Sequence, residues 1–425
     1  MKKILLICSC FYPKNVIGAV RTTKVAQKLT DRGFQVDVYT EMPLSNTEAR
    51  EKGLCNYVIS YGEKEISSSV KCSKKYEYKK IYEFKIYKWI SHFYNGIVDI
   101  KKSKDVTTKF INDLKDVLYL KDNKYDVVIT SYMSLSTIFC GLYYKRLHPD
   151  VQWICEFRDP IVTKYSNVFL RPYYKYIQNK ACKNADNIIA VSQGYLERIC
   201  SHKYKNKSYM IPNGFDKVDL DGKIFTDKKN QAMTLIYVGS LYGGDRDFSP
   251  VFKAISELVK EGKIKQNKVC MYYAGTEHDV IVRQAKKYNV ENIIVNKGFL
   301  SREECLNIQC SSDILMLSTW NEKKEYGVFP GKFLEYMLIG KPILSITGGN
   351  LADGEVTSVM KEGNLGFAYE EINDKEDYPK LKRYIENAYL QWENTGKVKF
   401  EPNQKVIDRY DYKNIIRKFE DIING

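Results

Sequence analysis

Short apolar runs alternate with segments of helical spacing over the first half of the chain. An apolar run at 2–11 is followed by helical spacing over 19–34, which Gly33 ends, and by a second apolar run at 35–40. A strand, a helix and a second strand in this order predict a βαβ unit with parallel strands. The alternation continues with predicted strands at 125–131, 151–157 and 187–192 and predicted helices at 137–147 and within 171–184.

A second alternation follows the turn signal Pro212-Asn213-Gly214. Its predicted strands are 233–241, 268–275, 292–299, 313–319 and 341–347, and its predicted helices are 248–260, 278–288, 301–311 and 332–339. The last segment, 410–424, has apolar residues at helical spacing and predicts an amphipathic helix. The chain is therefore predicted to be an α/β protein with two Rossmann-like, doubly wound parallel-sheet domains, residues 1–212 and 213–409. Ligands bind at the carboxyl ends of such strands, so we expect the site in a cleft that both domains face.

The composition is that of a folded protein with an anionic partner. Of the 425 residues, 44% are hydrophobic and 28% are charged, and the formal net charge is +15. Nucleic acid, anionic lipid and phosphorylated small molecules all suit a basic chain. Eleven cysteines without a Cys-x-x-Cys pair and four scattered histidines indicate reduced thiols, a cytoplasmic location and no metal site. No stretch approaches the roughly 18 apolar residues that a membrane span needs.

Residues 71–104 depart from the alternation. They hold ten lysines and three acids with aromatic residues between them. Helical spacing would place one apolar stripe beside the lysines: Tyr82, Ile86, Trp89, Phe93 and Ile97. This pattern is typical of a helix lying on anionic lipid, and a helix packed on its own domain with solvated lysines explains it equally well. The glycine-aromatic signature of an RNA-recognition sheet is missing, so we expect no nucleic-acid partner.

Three residues at predicted strand ends of the first domain are candidates for the site. Gly18 precedes a helix whose N-terminus can hold a phosphate or approach a sugar, although a plain turn also explains it. Arg158 and Asp159 directly follow the predicted strand 151–157, where unpaired charge would be costly. A salt bridge that pins the loop is the alternative. A Gly-x-Gly-x-x-Gly fingerprint is absent here, which disfavours an NAD enzyme.

The second domain has two groups of candidates. Gly239 and Ser240 let the backbone approach a phosphate, and Arg246 offers a fork of donors to a diphosphate. Nearby, Asp245-x-Asp247 is interpreted as a helix cap rather than a metal site. Further on, Gly331 and Lys332 begin a helix and form an anion site. Glu335 lies one turn later on the same face, and its carboxylate suits the two hydroxyls of a ribose. Cation, helix dipole and carboxylate together predict a nucleoside diphosphate.

The ordered motifs "PKNVIGAVR", "FRDP", "AVSQGY", "IPNGFD", "YVGSL" and "GVFPGKFLEYMLIGKPIL" cover nearly the whole chain. In the identity and order of these motifs, the chain resembles the GT-B glycosyltransferases of family 4, in particular bacterial surface-polysaccharide members with an Arg-Asp-Pro motif. The resemblance implies an acceptor site in the first domain, a nucleotide-sugar site in the second, and a last helix, 410–425, that completes the first domain. It also implies a retaining transfer without metal or other cofactor, from a nucleotide-diphosphate sugar to a glycan or lipid-linked acceptor at the inner membrane face.

The resemblance also assigns roles to residues. Arg246 and Lys332 would stabilise the leaving diphosphate, and Asp159 joins them as a catalytic candidate. The donor-binding candidates are Gly18, Arg158, Gly239, Ser240, Val328, Phe329, Pro330, Gly331 and Glu335.

Three positions depart from the family pattern. Gly327 stands where the Glu-x7-Glu pattern has its first acid, Arg158-Asp159 stands where many members have a histidine, and Ser240 replaces a common basic residue. A nucleotide-sugar epimerase of the same fold, a non-catalytic GT-B scaffold and a nucleic-acid binder remain as alternative functions.

Overall fold

The computed structural model describes residues 2–14, 16–61, 85–116, 120, 124–163, 166–220 and 230–425. They form two compact units. One consists of Met1–Asn213 with Tyr412–Gly425, and the other of Gly214–Asp411.

The described residues of the first unit form a seven-stranded parallel sheet in the order β3-β2-β1-β4-β5-β6-β7. The strands are β1 (Lys3–Cys8), β2 (Gln35–Thr40), β3 (Tyr57–Ser60), β4 (Val127–Tyr132), β5 (Gln152–Phe157), β6 (Asn187–Ala190) and β7 (Ser208–Met210). The helices are α1 (Ile17–Asp31), α2 (Asn46–Glu51), α3 (Lys85–Asp116), α4 (Leu135–Leu147), α5 (Arg171–Asn184) and α6 (Gln193–Ile199). Strand β1 is almost wholly apolar because helices cover both faces of a parallel sheet.

The second unit contains a six-stranded parallel sheet in the order β10-β9-β8-β11-β12-β13. Its strands are β8 (Met233–Val238), β9 (Val269–Ala274), β10 (Ile294–Gly298), β11 (Ile314–Trp320), β12 (Ile343–Gly348) and β13 (Gly366–Glu370). Its helices are α7 (Ser249–Lys260), α8 (His278–Lys286), α9 (Arg302–Ser311), α10 (Gly331–Ile339), α11 (Glu355–Gly363), α12 (Asp374–Thr395) and α13 (Gln404–Asp408).

The last helix, α14 (Tyr412–Asn424), belongs to the first unit. Its apolar face is buried in the same core as Val25 and Leu29 of α1. The buried residues are Tyr412, Ile415, Ile416, Phe419, Ile422 and Ile423. The amphipathic helix predicted for 410–424 is therefore confirmed.

The predicted fold class is confirmed, since both sheets are parallel and doubly wound. In each sheet the winding direction reverses beside the first strand, between β1 and β4 and between β8 and β11. Ligands of doubly wound sheets bind at the carboxyl ends of the strands at such a reversal. In the part of the chain that the structure describes, no helix is both long and apolar enough to cross a membrane.

Candidate functional site

A loop at the carboxyl end of β8, residues 239–244, is held by one carboxylate. Glu277, just beyond the neighbouring strand β9, accepts hydrogen bonds from Ser240 Oγ at 2.5 Å, Leu241 N at 2.6 Å and Gly243 N at 2.7 Å. Gly243 has a φ of 68°, a left-handed conformation that glycine adopts without strain. These hydrogen bonds fix the loop, and its glycines leave the backbone open to the close approach of a ligand.

Sequence reasoning missed Glu277. Burial raises the pKa of this carboxyl group, but the hydrogen bonds from Ser240 and from the loop backbone outweigh burial, and the pKa is lowered. The sequence did contain a signal for this residue. Glu277 is an acid that follows β9, and neighbouring parallel strands end at the same edge of a sheet, so it could be expected near the end of β8.

Arg246 is oriented by the same loop and by aromatic rings. Its Nη1 donates to Tyr237 Oη at 2.7 Å and to the Ser240 carbonyl at 3.2 Å. The guanidinium carbon lies 4.6 Å from the ring centroid of Tyr242 and 5.9 Å from that of Trp320. Its Nε has no hydrogen-bond partner among the described residues. The side chain is therefore held in place and still has donor capacity for a ligand.

Lys332, in the first turn of α10, reaches the end of β8. Its Nζ donates to the Val238 carbonyl and lies 5.2 Å from the ring centroid of Tyr237. This ammonium group occupies the space that a Cβ at Gly239 would fill, and the φ of 118° at Gly239 is a conformation that favours glycine. The structure thus brings together Gly239, Ser240, Arg246 and Lys332, which the sequence nominated from two separate segments.

Charge and burial perturb the lysine and the glutamate on α10. Burial and the nearby charge of Arg246 lower the pKa of Lys332 to about 8, although Glu335 acts in the opposite direction. Burial raises the pKa of Glu335, while Gln309, Arg302 and Lys332 lower it. Perturbed groups of opposite charge on one helix face, at a strand end, are typical of a binding site for a charged ligand.

The loop that leads into α10 carries the candidates Val328–Gly331. Pro330 is the N-cap of α10, and the Phe329 ring stacks on Tyr410 at 5.4 Å between centroids. The first N–H groups of the helix, beginning at Gly331, have no intrahelical acceptor and can bind an anion. Gly327 has a φ of 81°, so an acid at this position would be strained. This conformation gives a physical reason for the departure from Glu-x7-Glu.

In the first unit the structure brings Gly18 and Arg158 into contact. A Cβ at Gly18 would collide with the Arg158 guanidinium, so this glycine makes room for the arginine. Arg158 Nη1 donates to Met133 Sδ at 3.4 Å. The alternative of a loop-pinning salt bridge is not supported, because Arg158 forms no ion pair within the described ranges.

Asp159 is exposed and lines a cavity of about 610 Å³ at the carboxyl ends of β4 and β5. Polar and apolar atoms contribute about equally to its surface, and the polar residues that line it include Glu41, Asn95, Asp99, Tyr132, Ser136 and Thr163. Burial and then the charge of Asp159 raise the pKa of Tyr132, which keeps its hydroxyl protonated. The cavity can therefore offer both hydrogen-bond donors and acceptors to a polyhydroxylated ligand.

Asp247 lies one residue before Phe248, the N-cap of α7, and contacts the start of this helix. Its Oδ1 accepts a hydrogen bond from Ser249 N at 2.8 Å, at the start of α7. Over the described ranges, no group of three or more His, Cys, Asp or Glu side chains could hold a metal ion.

Comparison with known proteins relates part of the chain to a family and the whole chain to a fold. Residues 18–218 match the family model described as Glycosyltransferase Family 4. No curated protein sequence matches the chain.

Three solved structures illustrate the fold, and each covers nearly the whole of both chains. Sucrose-phosphate synthase (tll1590) from Thermosynechococcus elongatus is 14% identical with a TM-score of 0.61, over 100% of this chain and 98% of that one. A glycosyltransferase from Rickettsia africae ESF-5 is 16% identical with a TM-score of 0.55, over 99% and 97%. The trehalose-6-phosphate structure from E. coli bound with UDP-2-fluoro glucose is 10% identical with a TM-score of 0.60, over 100% and 99%.

Proposed function

We propose that this chain, whose residues 18–218 match the model of Glycosyltransferase Family 4, is a GT-B glycosyltransferase that transfers a sugar from a nucleotide-diphosphate sugar to a glycan or lipid-linked acceptor. The observation that carries the proposal is the meeting of Arg246 and Lys332 at the end of β8, beside the N-terminus of α10. Two cations and free helix N–H groups suit a diphosphate. A solved structure of the same fold contains UDP-2-fluoro glucose, which supports a nucleotide-sugar donor.

In the proposed reaction the bond between the sugar and the diphosphate breaks first. Arg246 and Lys332 take up the charge that develops on the departing oxygen, without a metal ion or other cofactor. The acceptor hydroxyl then bonds to the sugar on the face that the diphosphate leaves, and its proton passes to a phosphate oxygen. The configuration of the sugar is retained. Preorganised donors aimed at developing charge supply the largest part of catalysis in such sites.

Glu335 would bind the two ribose hydroxyls, and the cavity that Asp159 lines would receive the acceptor. From its sequence resemblance, we propose that the enzyme is a hexosyltransferase in the biosynthesis of a bacterial polysaccharide, which is a capsule, an O-antigen or an exopolysaccharide.

A panel of nucleotide sugars tests the proposal. We expect at least one UDP-, GDP- or ADP-sugar to raise the temperature of unfolding, because a ligand of the folded state stabilises it. The protein should also bind a nucleoside diphosphate more tightly than its 2′-deoxy form, and Glu335→Gln should reduce this preference about tenfold by weakening the hydrogen bonds to the ribose. Asp247→Asn, just before α7, is the control and should bind like the wild type.

The outcomes also separate the alternative functions. If no nucleotide or nucleotide sugar raises the temperature of unfolding, the proposal is rejected. An epimerase would isomerise the sugar and release nucleoside diphosphate without any acceptor. A scaffold would bind nucleotide and turn nothing over.

A peripheral contact with anionic lipid is the second part of the proposal. Of the predicted segment 71–104, residues 71–84 and the side chains of residues 85–90 lie outside the described part, so only Phe93 and Ile97 of the predicted stripe can be located. In the described part, α3 turns Tyr94, Ile97 and Val98 outward, and Tyr94 is 65% exposed. The opposite face packs on the unit at Gly96, where a Cβ would collide with Leu170.

The packing at Gly96 brings a second exposed apolar segment beside α3. Phe169 is 62% exposed, and its ring centroid lies 6.3 Å from that of Phe93. Lys101, Lys102 and Lys104 continue the exposed side of α3. Exposed aromatic and aliphatic side chains next to lysines fit the surface of an anionic bilayer.

Sedimentation with lipid vesicles tests this contact. The wild type should bind vesicles of phosphatidylglycerol and phosphatidylcholine but not phosphatidylcholine alone. The double variant Tyr94→Ser, Phe169→Ser should bind about tenfold more weakly, because two inserted rings are lost. Phe299→Ser removes an aromatic ring that is 80% exposed in the other unit, and it should bind normally. Equal binding of both variants would reject this surface.

A further inference from the structure

Two buried arginines of the first unit differ sharply in their partners. Arg21 is 0% exposed, and its Nη2 lies 2.7 Å from Glu156 Oε1. It also donates to the backbone carbonyls of Ile211, at 3.0 Å, and Pro212. Ser131 Oγ donates to the second oxygen of Glu156 at 2.7 Å. The charge of Arg21 is therefore fully compensated within the fold.

Arg158 has no comparable set of partners. It is only 7% exposed, and its Nη1 donates to the thioether sulfur of Met133, which is a weak acceptor. Its Nε is buried with no hydrogen-bond partner in the described part of the chain. Burying a charge without a counter-charge is expensive, and natural folds compensate it by pairing.

The guanidinium of Arg158 lies at a second electropositive feature. It fills the space beside Gly18, in the first turn of the 15-residue helix α1. The N-cap residue Val16 makes no side-chain cap hydrogen bond, and the first N–H groups of a helix carry a partial positive charge. A guanidinium and a helix N-terminus side by side repel each other unless an anion lies between or beside them.

We propose that Arg158 and the N-terminus of α1 form a binding site for an oxyanion, a carboxylate or phosphate group carried by the substrate. The guanidinium fork and the helix N–H groups are donors for two or three oxygens of one such group. The substrate class is then a sugar acid or a phosphorylated sugar or acceptor. That this anion is part of a substrate rests on the proposed function, whereas the existence of the site does not.

The test compares unfolding temperatures in the presence of simple anions. Wild type, Arg158→Met and Gly18→Ala are each heated in sodium phosphate, sodium glucuronate, glucose and sodium chloride, with the salts at equal ionic strength. We expect phosphate, glucuronate or both to raise the wild-type midpoint about 2–4 °C more than they raise that of Arg158→Met. Gly18→Ala should lose the same response, because its new methyl group displaces the guanidinium.

The two anions distinguish the sources of the oxyanion. A response to phosphate alone identifies a phosphorylated substrate, and a response to glucuronate alone identifies a sugar acid. Equal shifts of wild type and Arg158→Met in both anions would overturn the proposal. If an anion raises the unfolding temperature of the wild type and no nucleotide sugar does so, the anion site is supported and the proposed function is rejected.

A second readout separates a ligand site from a structural role. Without added anion, Arg158→Met should unfold at or above the wild-type temperature, because methionine fills similar space and removes an uncompensated charge. Arg21→Met is the matched control. It should unfold several degrees below the wild type, because it leaves the buried Glu156 carboxylate without its ion-pair partner. Marked destabilisation by Arg158→Met would show a structural role and overturn the proposal.

Discussion

Replacement of Lys332 by methionine should lower turnover at least about 100-fold, the usual loss when one preorganised charge-stabilising group is removed. The ammonium group is held at the end of β8 by the Val238 carbonyl, beside Arg246 and the N-terminus of α10. Methionine has a similar length and no charge, so the site should keep its shape. Lys286→Met, on an exposed position of α8, is the control and should keep full activity.

The activity should also depend on pH in a way that identifies Lys332. Its pKa is lowered to about 8, so the group loses its charge as pH rises through this value. The kcat/KM of the wild type should fall above about pH 8. The low residual activity of Lys332→Met should not show this fall. Activity of the variant within a factor of about three of the wild type would contradict the role in catalysis.

The same substitution should make the protein more stable at neutral pH. Below about pH 8 the lysine is charged in both the folded and unfolded states, and the cost of burying the charge is fully present. Between about 8 and the ordinary value of 10.5, the unfolded chain binds more protons, so wild-type stability rises with pH. Lys332→Met should therefore gain about 1–3 kcal/mol in the free energy of unfolding at pH 7, and this gain should shrink as pH approaches 10.5. Denaturant unfolding at several pH values measures it.

Replacement of Arg246 by alanine should weaken nucleoside diphosphate binding about 10- to 100-fold, the value of one or two hydrogen bonds to a charged group. The guanidinium is fixed by Tyr237, by the Ser240 carbonyl and by the rings of Tyr242 and Trp320. A fixed fork loses little entropy when it binds oxygen. Titration calorimetry with the diphosphate measures the effect.

A comparison of ligands makes the Arg246 prediction specific. The loss should be large for the diphosphate and small for the nucleoside monophosphate, because the monophosphate lacks the terminal phosphate. Arg246→Lys should recover only part of the affinity, since a lysine keeps the charge but not the fork. Arg283→Ala, at an exposed position of α8, should bind both ligands normally. Equal losses for both ligands would place Arg246 elsewhere on the nucleotide.

The alternation of apolar strands and amphipathic helices was enough to predict the fold class. Each strand and helix has a local period, and that period survives in a single sequence. The predicted helices 301–311 and 332–339 correspond to α9 and α10 within one residue. Between 349 and 409 the sequence led to no prediction, although α11, β13, α12 and α13 lie there. The long helix α12 is strongly polar outside its buried stripe, which weakens its apolar signal.

The sequence by itself determined which residues stand at the ends of strands, and this nominated Gly239, Arg246 and Lys332. The tertiary structure alone decided their contacts. Lys332 meets the Val238 carbonyl across 94 positions of chain, and Glu277 reaches the loop at Ser240 across 37. Such contacts depend on the order of strands in the sheet, which local periodicity does not encode.

The glycines show the same division. Gly18 and Gly239 were nominated as places where a phosphate could approach the backbone, and in the fold each makes room for a cation, Arg158 or Lys332. A sequence shows that a side chain is missing at a position. Only the packing of distant segments decides what occupies the space, because that space is bounded by residues far away in the chain.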